Sequence, residues 1–206
     1  MSQIFQIHPE NPQLRLIRSA ADIIKQGGVV IYPTDSCYAL GCQIGDKKAV
    51  ERIRQIRQLD DKHNFTLMCR DMGEMSEYGV IDNIAYRLIK SITPGPYTFI
   101  LPAMKSVPKR LLHPKRKTIG VRVPDNAVAL ALLEELGEPI LSSTLLLPGE
   151  DYPMIDPYDM KDSIGNQVDL VIDGGYCGME PTSVIEILAD GPELVRRGKG
   201  ADELVL

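Results

Sequence analysis

The 206-residue chain is 44% hydrophobic with a formal charge of -5, which is enough apolar content for a buried core and excludes a disordered or fibrous chain. No run approaches the roughly 18 apolar residues of a membrane span; Glu10, Arg15, Arg18 and Asp22 stand where a signal peptide is apolar, so a cytoplasmic protein is expected. Cys37, Cys42, Cys69 and Cys177 lack the spacing of a disulfide framework or a zinc site and read as reduced, packed thiols, with no metal bound.

In chain order, Ala20 to Gln26 reads as the end of a helix closed by Gly27 and Gly28, and Val29 to Tyr32 as a buried strand stopped by Pro33. Asp46 can cap a helix with Val50, Ile53 and Ile56 on one side and Lys47, Lys48, Arg52 and Arg54 on others; Phe65 to Cys69 is then a strand. Asp82 precedes a helical stripe of Ile84, Ala85, Leu88, Ile89 and Ile92, which Thr93-Pro94-Gly95-Pro96 ends before an extended Tyr97 to Leu101. Pro102 to Lys117 reads as a loop or short helix, Thr118 to Val123 as a strand, and Asn126 to Leu136 as a helix closed by Gly137.

Ile140 to Ser143 is the next strand, and Asp156 with Pro157 opens a short helix. Asp169 to Ile172, Ser183 to Ile187 and Glu193 to Arg196 are late strands separated by glycine turns. This alternation predicts one α/β domain over residues 1–206: a twisted open mixed sheet, parallel and antiparallel, with flanking helices. The closely spaced late strands are expected to supply antiparallel pairs.

The net charge conceals an asymmetry. Residues 1–124 hold 19 Lys and Arg against 11 Asp and Glu, whereas residues 125–206 hold 4 against 17. No acidic residue occurs from Asn83 to Pro124, so that stretch should project a positive field. Lys109, Arg110, Lys115, Arg116 and Lys117 are its candidate contacts to RNA phosphates.

Neither GxxxxGK[ST], GxGxxG, GxSxG nor HExxH is present, and His8, His63 and His113 have no partner at ligand spacing. Short polar segments instead fall at strand ends: Thr34-Asp35-Ser36, Thr118 to Arg122, Ser142-Ser143-Thr144, Thr182-Ser183 and Arg196. Hydroxyls and guanidinium groups at strand ends can converge on a carboxylate or phosphate. Taken singly, each segment is also ordinary turn chemistry.

Four segments, Tyr32 to Cys42, Pro94-Gly95-Pro96-Tyr97-Thr98, Gly120 to Asp125 and Pro139 to Ser143, together and in that order resemble the YrdC-like family over about residues 14–198. The resemblance implies a twisted α/β sheet around a basic concave cleft. It also implies a relation to threonylcarbamoyl-adenylate synthases, which join threonine, bicarbonate and ATP for tRNA modification, and to relatives that bind double-stranded RNA or tRNA. Thr34 and Arg122 then match positions that hold threonine, Thr118 and Arg196 match positions near ATP, and Thr182 stands where the family has a substrate-contacting Ser. The family's Lys-x-Arg falls on Arg57-Gln58-Leu59 and its Ser-Ala-Asn on Thr144-Leu145-Leu146, so Leu59 and Leu146 replace two donors.

Three functions stay open: an RNA- and nucleotide-binding protein with weak or lost synthase chemistry, an active synthase taking ATP with Mg²⁺ as substrate, and an interaction module. No residue is assigned a catalytic role, and no permanently bound cofactor is expected. Alternation in Gly120 to Pro124 sends Val121 and Val123 to the core and Arg122 to the other face. Arg122→Lys is expected to abolish stabilisation by ATP while leaving the melting temperature nearly unchanged.

Overall fold

The computed structural model describes residues 2–60, 63 and 65–205. Its strands are β1 (Gln3–Gln6), β2 (Val30–Tyr32), β3 (Ala39–Gln43), β4 (Thr66–Met68), β5 (Tyr97–Pro102), β6 (Thr118–Arg122), β7 (Ile140–Thr144), β8 (Leu170–Asp173), β9 (Ser183–Leu188) and β10 (Gly191–Arg196). The helices are α1 (Leu14–Lys25), α2 (Lys47–Arg57), α3 (Met72–Tyr78), α4 (Asn83–Ile92), α5 (Ala127–Leu136) and α6 (Pro157–Ile164). Among the described residues no helix is long and apolar enough to cross a membrane.

Four helices start at the polar caps that the sequence predicts, whereas α3, capped by Asp71, is not foreseen from it. Asp46 accepts from the amides of Lys48 and Ala49, both at 2.9 Å; Asp82, Asn126 and Asp156 do the same for α4, α5 and α6. The start of α1 has no side-chain cap. Neither β1 nor β3 is foreseen from the sequence; β3 reads Ala-Leu-Gly-Cys-Gln, without β-branched residues or polar alternation.

All ten strands form one sheet in the order β1-β8-β2-β3-β7-β4-β6-β5-β9-β10. It is mixed as expected: β1–β8, β2–β8, β4–β6 and β5–β9 pair parallel, and β2–β3, β3–β7, β4–β7, β5–β6 and β9–β10 antiparallel. Of the late strands only β9 and β10 form the antiparallel pair that their spacing suggests. β8 instead lies between β1 and β2 and runs parallel to both, so nearness in sequence misplaces it.

The two faces of the sheet are covered unequally. On one, α2, α3, α4 and α6 bury side chains such as Ile53, Met75, Ile89 and Met160 against Leu40, Leu67, Phe99, Val121 and Val171. On the other, only α1 and α5 pack, with Ile17, Ile24, Val128 and Leu132 against Val30, Tyr32, Ile140 and Ile172. That second cover lies over β8, β2, β3 and β7. Among the described residues no helix covers the part of the same face carried by β6, β5, β9 and the start of β4, although Met68 at the end of β4 joins the α1 and α5 cluster.

Candidate small-ligand cleft

That uncovered surface is the floor of an open cavity of about 420 Å³. Period-two alternation makes the floor, since Thr66, Thr98, Ile100, Gly120, Arg122 and Val184 face the cavity. Their neighbours Leu67, Phe99, Ile119, Val121 and Ile185 enter the core behind it. Gly120 keeps the floor low where strands crowd: a Cβ there would meet Phe65 O at 3.1 Å and Thr66 Oγ1 at 3.2 Å. The walls are Thr34, Ser36 and Cys37 between β2 and β3, Arg57 from the end of α2, His63, Ser142 to Thr144, Leu146, and Pro181, Thr182 and Arg196.

Six of the seven residues proposed for small-ligand binding therefore meet in one cavity: Thr34, Arg57, Arg122, Thr144, Thr182 and Arg196. Thr118 does not line it. It shares the face of β6 that carries Gly120 and Arg122 but sits two residues before Gly120, about 7 Å along the strand; it is buried, and its hydroxyl has no hydrogen-bond partner among the described residues.

Arg122 is 4% exposed. Its Nε donates to Gly95 O at 3.3 Å, Nη1 to Ser36 Oγ at 3.1 Å, and Nη2 to the Asp35 carboxylate. A guanidinium has five N–H donors, so some remain for a ligand. This corrects the expectation that Arg122→Lys is thermally silent, because Arg122 is also half of a nearly dry ion pair with Asp35. From the C-terminal segment, Lys199 Nζ donates to Asp35 O and ties down the same loop.

Thr34 has a different position. Its hydroxyl donates to Cys37 O at 2.6 Å and accepts from the amides of Ser36 and Cys37 at 3.1 and 3.2 Å, which fills its capacity inside the loop. Ser36 is the hydroxyl that Thr34 sets beside Arg122. Arg196 donates to Thr182 O at 2.8 Å and to Thr182 Oγ1 at 3.1 Å, and Thr182 Oγ1 lies 3.0 Å from Thr98 Oγ1. Arg57 donates from Nε to Ser143 Oγ at 3.3 Å and from Nη1 to the Leu146 carbonyl.

Among the described lining residues there is no Asp or Glu. Burial draws the pKa of Arg57 and of Arg196 below the usual guanidinium value, yet arginine stays charged in proteins. Burial, reinforced by the fields of Arg57 and Arg54, lowers His63 to about 4, so its imidazole is neutral at pH 7. Burial raises Cys37 to about 11 and keeps it a thiol rather than a nucleophilic thiolate. The cavity thus presents the guanidinium groups of Arg57 and Arg196, that of Arg122 already paired with Asp35, a neutral imidazole and several hydroxyls, a lining whose chemistry suits an anion. Among the described residues no three His, Cys, Asp or Glu side chains gather as a metal site.

The basic run is not part of this cavity. Lys109, Arg110 and Lys117 line a separate groove with α2, while Arg116 donates from Nη1 to both Glu186 carboxylate oxygens at 2.7 and 2.9 Å. Lys115 is exposed and lines neither. Ser36 falls in the strand-end segment Thr34-Asp35-Ser36 that the sequence marks, whereas sequence reasoning missed Thr98 and His63 as lining residues. Alternation with Phe99 and Leu101 could have flagged Thr98; no local pattern marks His63.

Comparison with known proteins gives this geometry a context. The Sua5/YciO/YrdC family profile, described as telomere recombination, matches residues 22–198. YciO of Escherichia coli is 60% identical over 200 residues, 97% of each chain, and its crystal structure superposes with a TM-score of 0.94. The threonylcarbamoyl-AMP synthase of Nitrosococcus oceani is 33% identical over 159 residues, covering 77% of this chain and 85% of the enzyme. P. abyssi Sua5 complexed with L-threonine is 27% identical with a TM-score of 0.87, over 96% of this chain and 58% of Sua5.

Proposed function

The chain belongs to the Sua5/YciO/YrdC family, and on that footing we propose that it is a cytoplasmic protein that holds a nucleotide in the cleft and binds double-stranded RNA or tRNA. Its synthase chemistry is weak or lost. One observation carries the nucleotide reading: Arg57, Arg122 and Arg196 converge on one cavity with no Asp or Glu among its described lining residues, Asp35 pairing with Arg122 from outside that lining, and the cavity's volume lies in the range of about 300 to 1,000 Å³ of small-molecule sites. Planar guanidinium forks suit carboxylate and phosphate oxygens. That P. abyssi Sua5 is complexed with L-threonine supports a ligand bearing a carboxylate in this cleft. A Mg²⁺ arriving with ATP would be held by phosphate oxygens and water, since the lining has no carboxylate to offer.

The loss of chemistry follows from two side chains. Leu146 lines the cavity where the family pattern has an amide, and Leu59 packs against the helix-covered core instead of reaching the ligand. Removing one preorganised donor slows a reaction about 100- to 1000-fold. Pyrophosphate release from ATP with threonine and bicarbonate, measured beside the Nitrosococcus oceani synthase, should therefore be at least about 100-fold slower. Leu146→Asn restores one donor and should raise the rate; turnover equal to the synthase in the unaltered protein would refute the reading.

A further inference from the structure

The second groove lies against the helix-covered side of the sheet, away from the cleft. One wall is α2, whose Lys47, Val50, Glu51 and Arg54 fall at i, i+3, i+4 and i+7 and so form one stripe. The other is the connection between β5 and β6, which anchors itself in the helix-side core through Val107 and Leu111. It presents Lys109, Arg110, Leu112, Pro114 and Lys117 across a space of about 490 Å³.

Four cations of this groove, Lys47, Lys109, Arg110 and Lys117, make no ion pair among the described residues. Arg110 donates to Gly45 O at 2.8 Å and Lys117 to Pro114 O at 2.9 Å, both backbone carbonyls. Glu51 is the one acid in the lining. Lys47, Lys109, Arg110 and Lys117 are exposed.

We infer that this groove, and not the cleft, holds the phosphate backbone of duplex RNA; the inference rests on the RNA-binding reading proposed above. From Lys47 to Arg54 the stripe runs about 10 Å, on the order of three phosphates at roughly 3.4 Å of axial rise per strand. Among the described lining residues the apolar surface is small, because Val50 is buried, Leu112 is half-buried and only Pro114 is exposed. A protein partner would be expected to find an apolar core there. Exposed cations that face the backbone phosphates predict binding that depends on salt and hardly on sequence.

The test is fluorescence anisotropy of a labelled RNA duplex against salt for three forms of the full chain. The forms are the unaltered protein, Lys47→Glu/Lys109→Glu/Lys117→Glu, and Lys25→Glu/Lys48→Glu/Lys90→Glu, which makes the same change in net charge outside the groove. Three lost phosphate contacts should weaken binding at least tenfold and flatten the slope of log affinity against log salt by about 2 to 3; the control should keep its slope. Equal losses in both variants, or full affinity in the groove variant with loss in Arg57→Ala, would overturn the placement. Competition by polyglutamate as effective as by RNA would mark an acidic-protein site instead and also overturn it. No binding by the unaltered protein at low salt would defeat the RNA reading itself, a separate outcome.

Discussion

Arg122 and Asp35 meet with side chains 5% and 12% exposed, so each is costly to leave without the other. Removing one partner of a buried pair costs about 3 to 5 kcal/mol. Asp35→Ala should therefore lower the unfolding free energy by that amount in urea titration, and a loss under about 1 kcal/mol would show the pair to be effectively solvated. Arg122→Lys keeps the charge but not the fork; it should lower the melting temperature and also abolish stabilisation by ATP. Undiminished ATP stabilisation would place the ligand elsewhere. The neutral His63 supplies a pH dependence. Its folded pKa, about 4, lies below the ordinary value of 6.5, so between those values the unfolded chain binds more protons and stability rises with pH. On acidification through that window the protein should lose more stability than His63→Gln, and parallel curves would dismiss the effect. Alternation along β6 turned Arg122 away from the core, and the family resemblance, not the alternation, put it in the cleft that it lines. Its pairing with Asp35 was not legible, because that contact joins residues 87 apart in the chain.

At the scale of elements, what the sequence announced was what local hydrogen bonding decides. Asp46, Asp82, Asn126 and Asp156 cap the helices they precede, and Gly137 closes α5 in the left-handed conformation at φ 70°. β1 and β3 stayed hidden because both owe their extended state to partners distant in sequence, β8 for one and β2 with β7 for the other. The same limit placed β8 wrongly among its sequence neighbours. α2 carries the most functional weight, with Lys47 and Arg54 facing the groove and Arg57 reaching the cleft. Asp46→Ala removes its cap and should cost about 1 kcal/mol of stability, seen as a lower midpoint of urea unfolding with an unchanged slope. If the cap only nucleates the helix, ATP stabilisation should persist, since Arg57 is separately held by Ser143 and Leu146.

The whole chain divides its charge as its sheet divides its faces. Its overall acidity, with a sequence pI near 5.3, says little about the surface that meets a polyanion, because the acid-free stretch from Asn83 to Pro124 sends four of its nine cations to two separate sites. Lys109, Arg110 and Lys117 go to the groove on the helix-covered side, and Arg122 goes to the cleft behind the sheet. The two sites share no lining residue. Changes at well-separated sites without shared partners add to within about 0.3 to 0.5 kcal/mol, or roughly twofold in an equilibrium constant. Arg122→Lys should therefore leave RNA affinity within about twofold, and the groove triple variant should leave the midpoint of an ATP-dependent thermal shift within the same factor. Saturating ATP should likewise shift RNA affinity by no more than about twofold. Linkage requires RNA to return whatever effect ATP exerts. A coupling of tenfold or more, found in either direction, would mean that α2 moves between two positions and carries occupancy of one face to the other.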